Sequence, residues 1–185
     1  QAQQLQQQHH QLKSQQQQAQ GQESALKALQ QAALGLDDQQ QQRWLQTQGL
    51  AGNRRLAEVL QVESGFESLV EAVLGDAIKA VMVDDLSAIN MAYSPSVILL
   101  EKDDSSPIAT DALVGKLLSQ VGREWVVGVK HCSTLADALV QRHALMAGES
   151  IISQDGFWLG KHWLKVVGKK AEDSVLTRQT VLTLL

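Results

Sequence analysis

Cysteine occurs once in the 185 residues, at Cys132. The chain can therefore close no disulfide on itself and offers no cysteine-based zinc site, which points to a reducing compartment. No run approaches the ~18 to 20 consecutive apolar residues that cross a bilayer, and the amino end lacks the charged-then-apolar pattern of a secretion signal. There is no excess of positive charge either: the formal net charge is −4, so any nucleic-acid contact must come from a local patch rather than from the field of the whole molecule. A phosphate-binding loop is missing as well. Gly115-Lys116, Gly160-Lys161 and Gly168-Lys169 all lack the upstream glycine and the following hydroxyl of Gly-x-x-x-x-Gly-Lys-Ser/Thr, and the segment is not expected to hydrolyse a nucleotide.

What the chain has in excess is glutamine, and only at one end. Of the first 48 residues, 21 are glutamine, whereas the remaining 137 have the Val, Leu, Ala and Gly mixture of a globular domain. Leu5, Leu12, Ala19, Leu26 and Ala33 fall seven apart, and Gln8, Gln15, Gln22, Leu29 and Leu36 form a second set in phase with them. The two sets predict a coiled-coil strand of modest stability, weak where glutamine holds the inner position. Residues 1–48 as one helix would span ~70 Å. A disordered polar tract is the competing reading. His9 and His10 are adjacent and point to different helix faces, so they make no metal-binding pair. Trp44 and Leu45 are placed to pack onto the globule, and the two glycines within residues 48–53 end the helix.

The globule is organised around residues 65–85. Phe66, Leu69, Val70, Val73 and Leu74 recur at helical spacing, Gly75 is placed to terminate the helix, and Ile78, Ala80, Val81 and Val83 read as a buried strand. Asp84 and Asp85 predict the start of a second helix through Ala92. Residues 96–100 read as a strand and 112–121 as a further helix. The pattern then repeats. Residues 125–129 are apolar, Ser133 can cap, and Leu135, Ala138 and Leu139 build the inner face of another helix. The chain thus reads as a mixed α/β globule of two β-α halves. After the second half, Asp155-Gly156 between strand-like runs predicts a hairpin. Residues 163–167 form a terminal strand, and 172–185 start a closing helix. The organisation expected is an arm over 1–50, a globule over 54–170 and a second arm from 172, the two arms antiparallel. Lacking an initial Met and ending within a helix, the chain reads as a piece excised from a longer protein.

Two groups of residues are candidate sites. The terminal strand would be a sheet edge whose unpaired backbone must be covered or paired, so Gly156, Trp158, Gly160, Trp163, Lys165, Val167 and Gly168 are assigned to a self-association interface. Trp158 and Trp163 also read as ordinary core aromatics, and Gly156 as a turn requirement. Arg54, Arg55, Lys161, Lys165, Lys169 and Lys170 cluster near the arm junctions and are candidate phosphate contacts that position without reading sequence. Solvated surface charge is the plainer reading of the same residues. Cys132 beside His131 suggests a thiol enzyme, but neighbours on a strand point to opposite faces, so a structural cysteine is the better reading. No catalytic or metal site is assigned.

Five short stretches occur in an order and spacing that resemble one family. They are Gly65-Phe66-Glu67, Ala72-Val73-Leu74-Gly75-Asp76, Val81-Met82-Val83-Asp84-Asp85-Leu86, Ala147-Gly148-Glu149-Ser150 with Ile151-Ile152-Ser153, and Asp155-Gly156-Phe157-Trp158-Leu159-Gly160. Together they resemble the hinge of bacterial SMC (structural maintenance of chromosomes) proteins over residues 54–168. The resemblance implies a homodimerisation module with coiled-coil arms and a small basic channel; weak, salt-sensitive, sequence-independent DNA binding is expected from the basic residues named above. It also implies a cytoplasmic, nucleoid-associated parent that condenses and segregates chromosomes. The parent's distant heads would bind ATP and Mg and recruit kleisin-type subunits, while the hinge itself needs no cofactor. Family members place several glycines around the last strands; here Trp158, His162 and Trp163 stand among Gly156, Gly160 and Gly168. A ligand-binding α/β sensor on a helical stalk is the alternative, without a glycine-rich phosphate loop to support it. A zinc hook is excluded by the single cysteine.

Overall fold

A computed structural model describes residues 2–36, 38–90, 92, 94–102, 112–119, 121–167 and 174–184. The glutamine-rich arm is helical, as α1 (Ala2–Ala33), but it does not continue unbroken to residue 48. Gly35 adopts a left-handed φ of 67°, the conformation that ends helices at low cost for glycine. Asp38 then accepts hydrogen bonds from the Gln40 and Gln41 N–H groups, each at 3.0 Å, and starts α2 (Gln39–Thr47) afresh. The arm thus has a corner where continuous helix is expected. A capped second start explains it.

Arg55 leads into α3 (Leu56–Val59), followed by α4 (Glu67–Leu74), a 3₁₀ turn over Gly75–Lys79 and β1 (Val81–Val83). This helix-to-strand unit forms where the apolar spacing places it. The helix expected from Asp84 to Ala92 is only a 3₁₀ turn, Leu86–Ala88. Asp85 accepts from the Ser87 N–H at 2.8 Å, a local bond that competes with helix propagation. Leu86, Ser87 and Ala88 are all exposed, so no buried face sustains a longer helix. Residues 112–121 likewise hold a 3₁₀ turn, Leu113–Lys116, between bridges Ala112↔Lys130 and Val62↔Leu117. A short turn serves here because a bridge already holds each of its ends.

β2 (Leu99–Glu101) pairs in parallel with β1 to make a small sheet. In the second half, β3 (Val129–Cys132) begins after a 3₁₀ turn at Arg123–Trp125, so residues 125–128 are not strand. It leads through α5 (Leu135–Gln141) to β4 (Ser150–Ser153), parallel to β3. Thr134, not Ser133, caps α5. β5 (Phe157–Leu159) and β6 (Leu164–Val166) add antiparallel hairpins, giving the order β3-β4-β5-β6.

Side-chain alternation gives both sheets two faces. In the larger one, Ile152 and Trp158 face the main core with Leu56, Val70, Leu113 and Val126, whereas Ile151 and Leu159 face Ala138 of α5 and Leu145 beyond it. Ile151 and Ile152 are both fully buried, each contributing ~1.5–3 kcal/mol by leaving water. In the smaller sheet, Met82 and Leu100 enter the main core, while Val81, Val83 and Leu99 meet Trp44 and Leu45 of α2. Helix α6 (Val175–Leu184) buries Val175 and Leu176 in the main core beside Leu34. It leaves the globule where α1 arrives, as the antiparallel arms require.

Candidate functional site

β6 is paired with β5 on one side and with no strand on the other among the described residues. Its three residues are all exposed, and among them Val166 is 65 % and Leu164 48 % accessible. The register Phe157↔Val166, Trp158↔Lys165 and Leu159↔Leu164 puts Leu164 and Val166 on the α5 face and Lys165 beside Trp158 on the main-core face. The strand is a ladder of unpaired backbone groups bearing apolar side chains. Such an edge is a template for another strand.

The hairpins around it are pre-formed. Gly156 turns β4 into β5 with φ 94° and is buried; its carbonyl accepts from the Val167 N–H at 2.9 Å, which anchors the end of β6. Its place is the turn, reached by a left-handed φ that a side chain would oppose. Gly160 donates to the Trp163 carbonyl at 3.0 Å, closing the β5–β6 loop. A Cβ on Gly160 would lie 2.0 Å from Trp163 Nε1, so glycine creates the space in which the indole rests. Trp163 then stands edge-on to Trp158, ring centroids 5.5 Å apart, and remains 48 % accessible. Trp158 combines the two readings of it. It packs on the main core, donates from Nε1 to Ser150 Oγ at 3.0 Å and carries Lys165 over its ring at 5.5 Å. Sequence periodicity did not show Gly160's role, because the close contact is made by a residue three positions on.

Among the described residues, the basic candidates sit on different elements. Arg54 is exposed and its guanidinium donates to the Glu58 carbonyl, beside a cleft lined by α6 residues Gln179 and Thr183. Lys161 and Lys165 are exposed on the β5–β6 hairpin. Arg55 is a correction. It is only 3 % accessible, and its guanidinium donates to the Lys79 carbonyl at 2.8 Å and to Gln41 Oε1 at 2.9 Å. Burial holds its pKa below the ordinary guanidinium value despite nearby Glu58. A guanidinium enclosed in this way holds the fold together and cannot meet a phosphate. Gly168, Lys169 and Lys170 lie outside the described residues.

His131 and Cys132 do face apart. His131 meets Phe66 edge-on at 5.4 Å, whereas Cys132 packs with the α5 cluster and donates to the Thr134 carbonyl. Burial, then Asp137, pushes the thiol upward, away from the thiolate a nucleophile requires.

The family model described as "SMC proteins Flexible Hinge Domain" matches residues 51–94. Chromosome partition protein Smc of Coxiella burnetii is 37% identical over 152 residues, 77% of this chain and 13% of that protein. Its counterpart in Xanthomonas oryzae is 30% identical over 66% of this chain and 11% of its own length. The chain thus spans about an eighth or less of these relatives. A crystal structure of an asymmetric dimer of the Geobacillus stearothermophilus SMC hinge domain superposes with a TM-score of 0.56, covering 95% of this chain and 84% of that one at 15% identity. Sequence and fold agree, and the chain belongs to the SMC hinge family, as the hinge region of a bacterial Smc-type protein.

Proposed function

We propose that this hinge joins two copies of its chain through sheet edges, so that two coiled-coil arms diverge from one dimeric junction. The observation that carries the reading is β6, an exposed apolar edge strand with Trp163 already seated beside it. Charge argues for the partner strand. Two β6 strands paired antiparallel about their centre would set Lys165 against Lys165, a like-charge pair that destabilises a sheet. Of the other border strands among the described residues, β1 and β3 each carry a bridge on the outer side, to Arg55 and to Ala112, which leaves β2, ending on the exposed Glu101. Pairing of β6 with β2 of a second copy, repeated by two-fold symmetry, uses both edges and opposes the charges. Val167 continues the same border, and Gly168 stays a candidate by its place in the sequence.

The parent chain is an ATP- and Mg-dependent chromosome-partition protein whose heads lie outside this segment and engage kleisin-type subunits at the nucleoid. The hinge adds a weak phosphate contact through Arg54, Lys161 and Lys165, with Lys169 and Lys170 as further candidates. Sedimentation equilibrium should show a dimer for the wild type and a monomer for Val166→Glu; equal masses would refute the edge. Gel shifts at low salt should weaken on Lys161→Glu with Lys165→Glu. Retention of binding by that double variant would remove the DNA assignment.

A further inference from the structure

The small sheet has no second layer of its own. Alternation on β1 and β2 sends Met82 and Leu100 into the main core and leaves Val81, Val83 and Leu99 facing the other way. The helix that covers them is α2, through Trp44 and Leu45, which are 7 % and 2 % accessible. α2 is part of the arm. The corner before it is not tightly packed: an open cleft of about 370 Å³ lies between Leu34, Gly35 and Asp38 on the arm and Arg55, Lys79 and Ile98 on the globule. The seating of α2 therefore rests on its two apolar side chains and on polar clips.

One amide provides most of those clips. Gln41 accepts from the Arg55 guanidinium at 2.9 Å and donates from Nε2 to the Ser96 carbonyl at 3.1 Å. Arg55 bridges directly to Val81 of β1, and Ser96 lies three residues before β2. A single arm side chain thus holds the entries of both strands. The Arg55 guanidinium reaches a second neutral carbonyl, that of Lys79. A buried cation with neutral acceptors is costly to leave unmet, so the clip resists partial release.

We propose that α2 is a latch by which the incoming arm controls the order of the β1–β2 sheet, with Arg55 and Gln41 as its positioning residues. When α2 is seated, the outer face of the sheet is covered and its strand entries are pinned. When α2 is drawn away, Val81, Val83 and Leu99 face water and a two-stranded sheet has too few partners to persist. The four-stranded sheet has its own cover in α5 and is not addressed by α2. This claim concerns one chain and stands whether or not β6 is a dimer edge.

Segment-resolved hydrogen exchange on the whole chain tests it. In Arg55→Met, amides of residues 39–47 and of 81–83 and 98–102 should exchange about tenfold faster or more, the scale set by a lost charged hydrogen bond. Amides of residues 150–159 should stay unchanged. Arg55→Lys, which can still reach one acceptor, should restore part of the protection. Gln41→Leu, a milder change on a helix surface, should reproduce the pattern if Arg55→Met fails to fold. Loosening confined to residues 39–47 would overturn the proposal, and so would an equal rise in both sheets.

Discussion

A methyl group on Gly160 would occupy the place of the Trp163 indole. Gly160→Ala therefore displaces Trp163 from Trp158, and the lost aromatic contact should cost about 1 kcal/mol. Denaturant titration should record that loss with the fold intact, and sedimentation should show weaker self-association because the indole no longer has its seat. An unchanged association would mean that Trp163 is not an anchor. Arg55 teaches the opposite lesson at the same scale. Beside Arg54 in the sequence it reads as one of two surface cations, yet an extended chain turns neighbours to opposite sides, and Arg55 alone is folded over by α2. Which of two adjacent arginines is enclosed depends on a helix that packs from another part of the chain. Local pattern carries no such information.

At the scale of elements, the arm shows what periodicity can and cannot decide. α1 is helical, and the leucine spacing finds its axis, but the second set of inner positions is displaced: Leu29 is 59 % accessible, whereas Gln30 is 5 %. The seam is chosen by α6, which meets α1 at Gln30. The Gln30 amide donates to the Val175 carbonyl and to Gln179 Oε1, each at 3.1 Å, and accepts from Arg178 Nε at 3.3 Å. Glu71 of α4 adds a cap, accepting from Ser174 Oγ and the Leu176 N–H at the start of α6. Gln30→Ala should lower stability by about 1–2 kcal/mol, because three hydrogen bonds and their packing are lost together. Gln30→Leu should recover only the packing part of that loss, because the hydrogen bonds to Val175, Gln179 and Arg178 are still missing. Thermal unfolding of the two variants checks the difference. The β4–β5 hairpin, by contrast, was fully legible: Asp155-Gly156 between two apolar runs leaves few alternatives to a tight turn. The short 3₁₀ turns at 86–88 and 113–116 were not, because their lengths are set by exposure and by strand bridges at their ends rather than by apolar spacing.

For the molecule as a whole, the surfaces left for a partner lie at the borders of its sheets. The larger sheet is covered by the main core on one face and by α5 on the other, and the smaller by the main core and by α2, so little of either sheet's faces remains for a partner. Among the described residues β1 and β3 carry bridges to Arg55 and Ala112 on their outer sides, so the open borders are those of β2 and β6, with Glu101 at one and Lys165 at the other. Such a distribution favours reciprocal pairing over a chain that closes on itself. The acidic net charge of the chain confines the proposed DNA contact to a local, salt-sensitive patch. The α2 latch adds a route from the arm to one of the two borders.

The most direct measurement is the dependence of amide exchange on protein concentration, followed at residues 164–166 and 99–101 in the wild-type chain. The account predicts rapid exchange at both borders in dilute solution and protection that rises together at both as copies associate. Exchange at residues 164–166 that is the same at every concentration, in a sample that nonetheless dimerises, would contradict it.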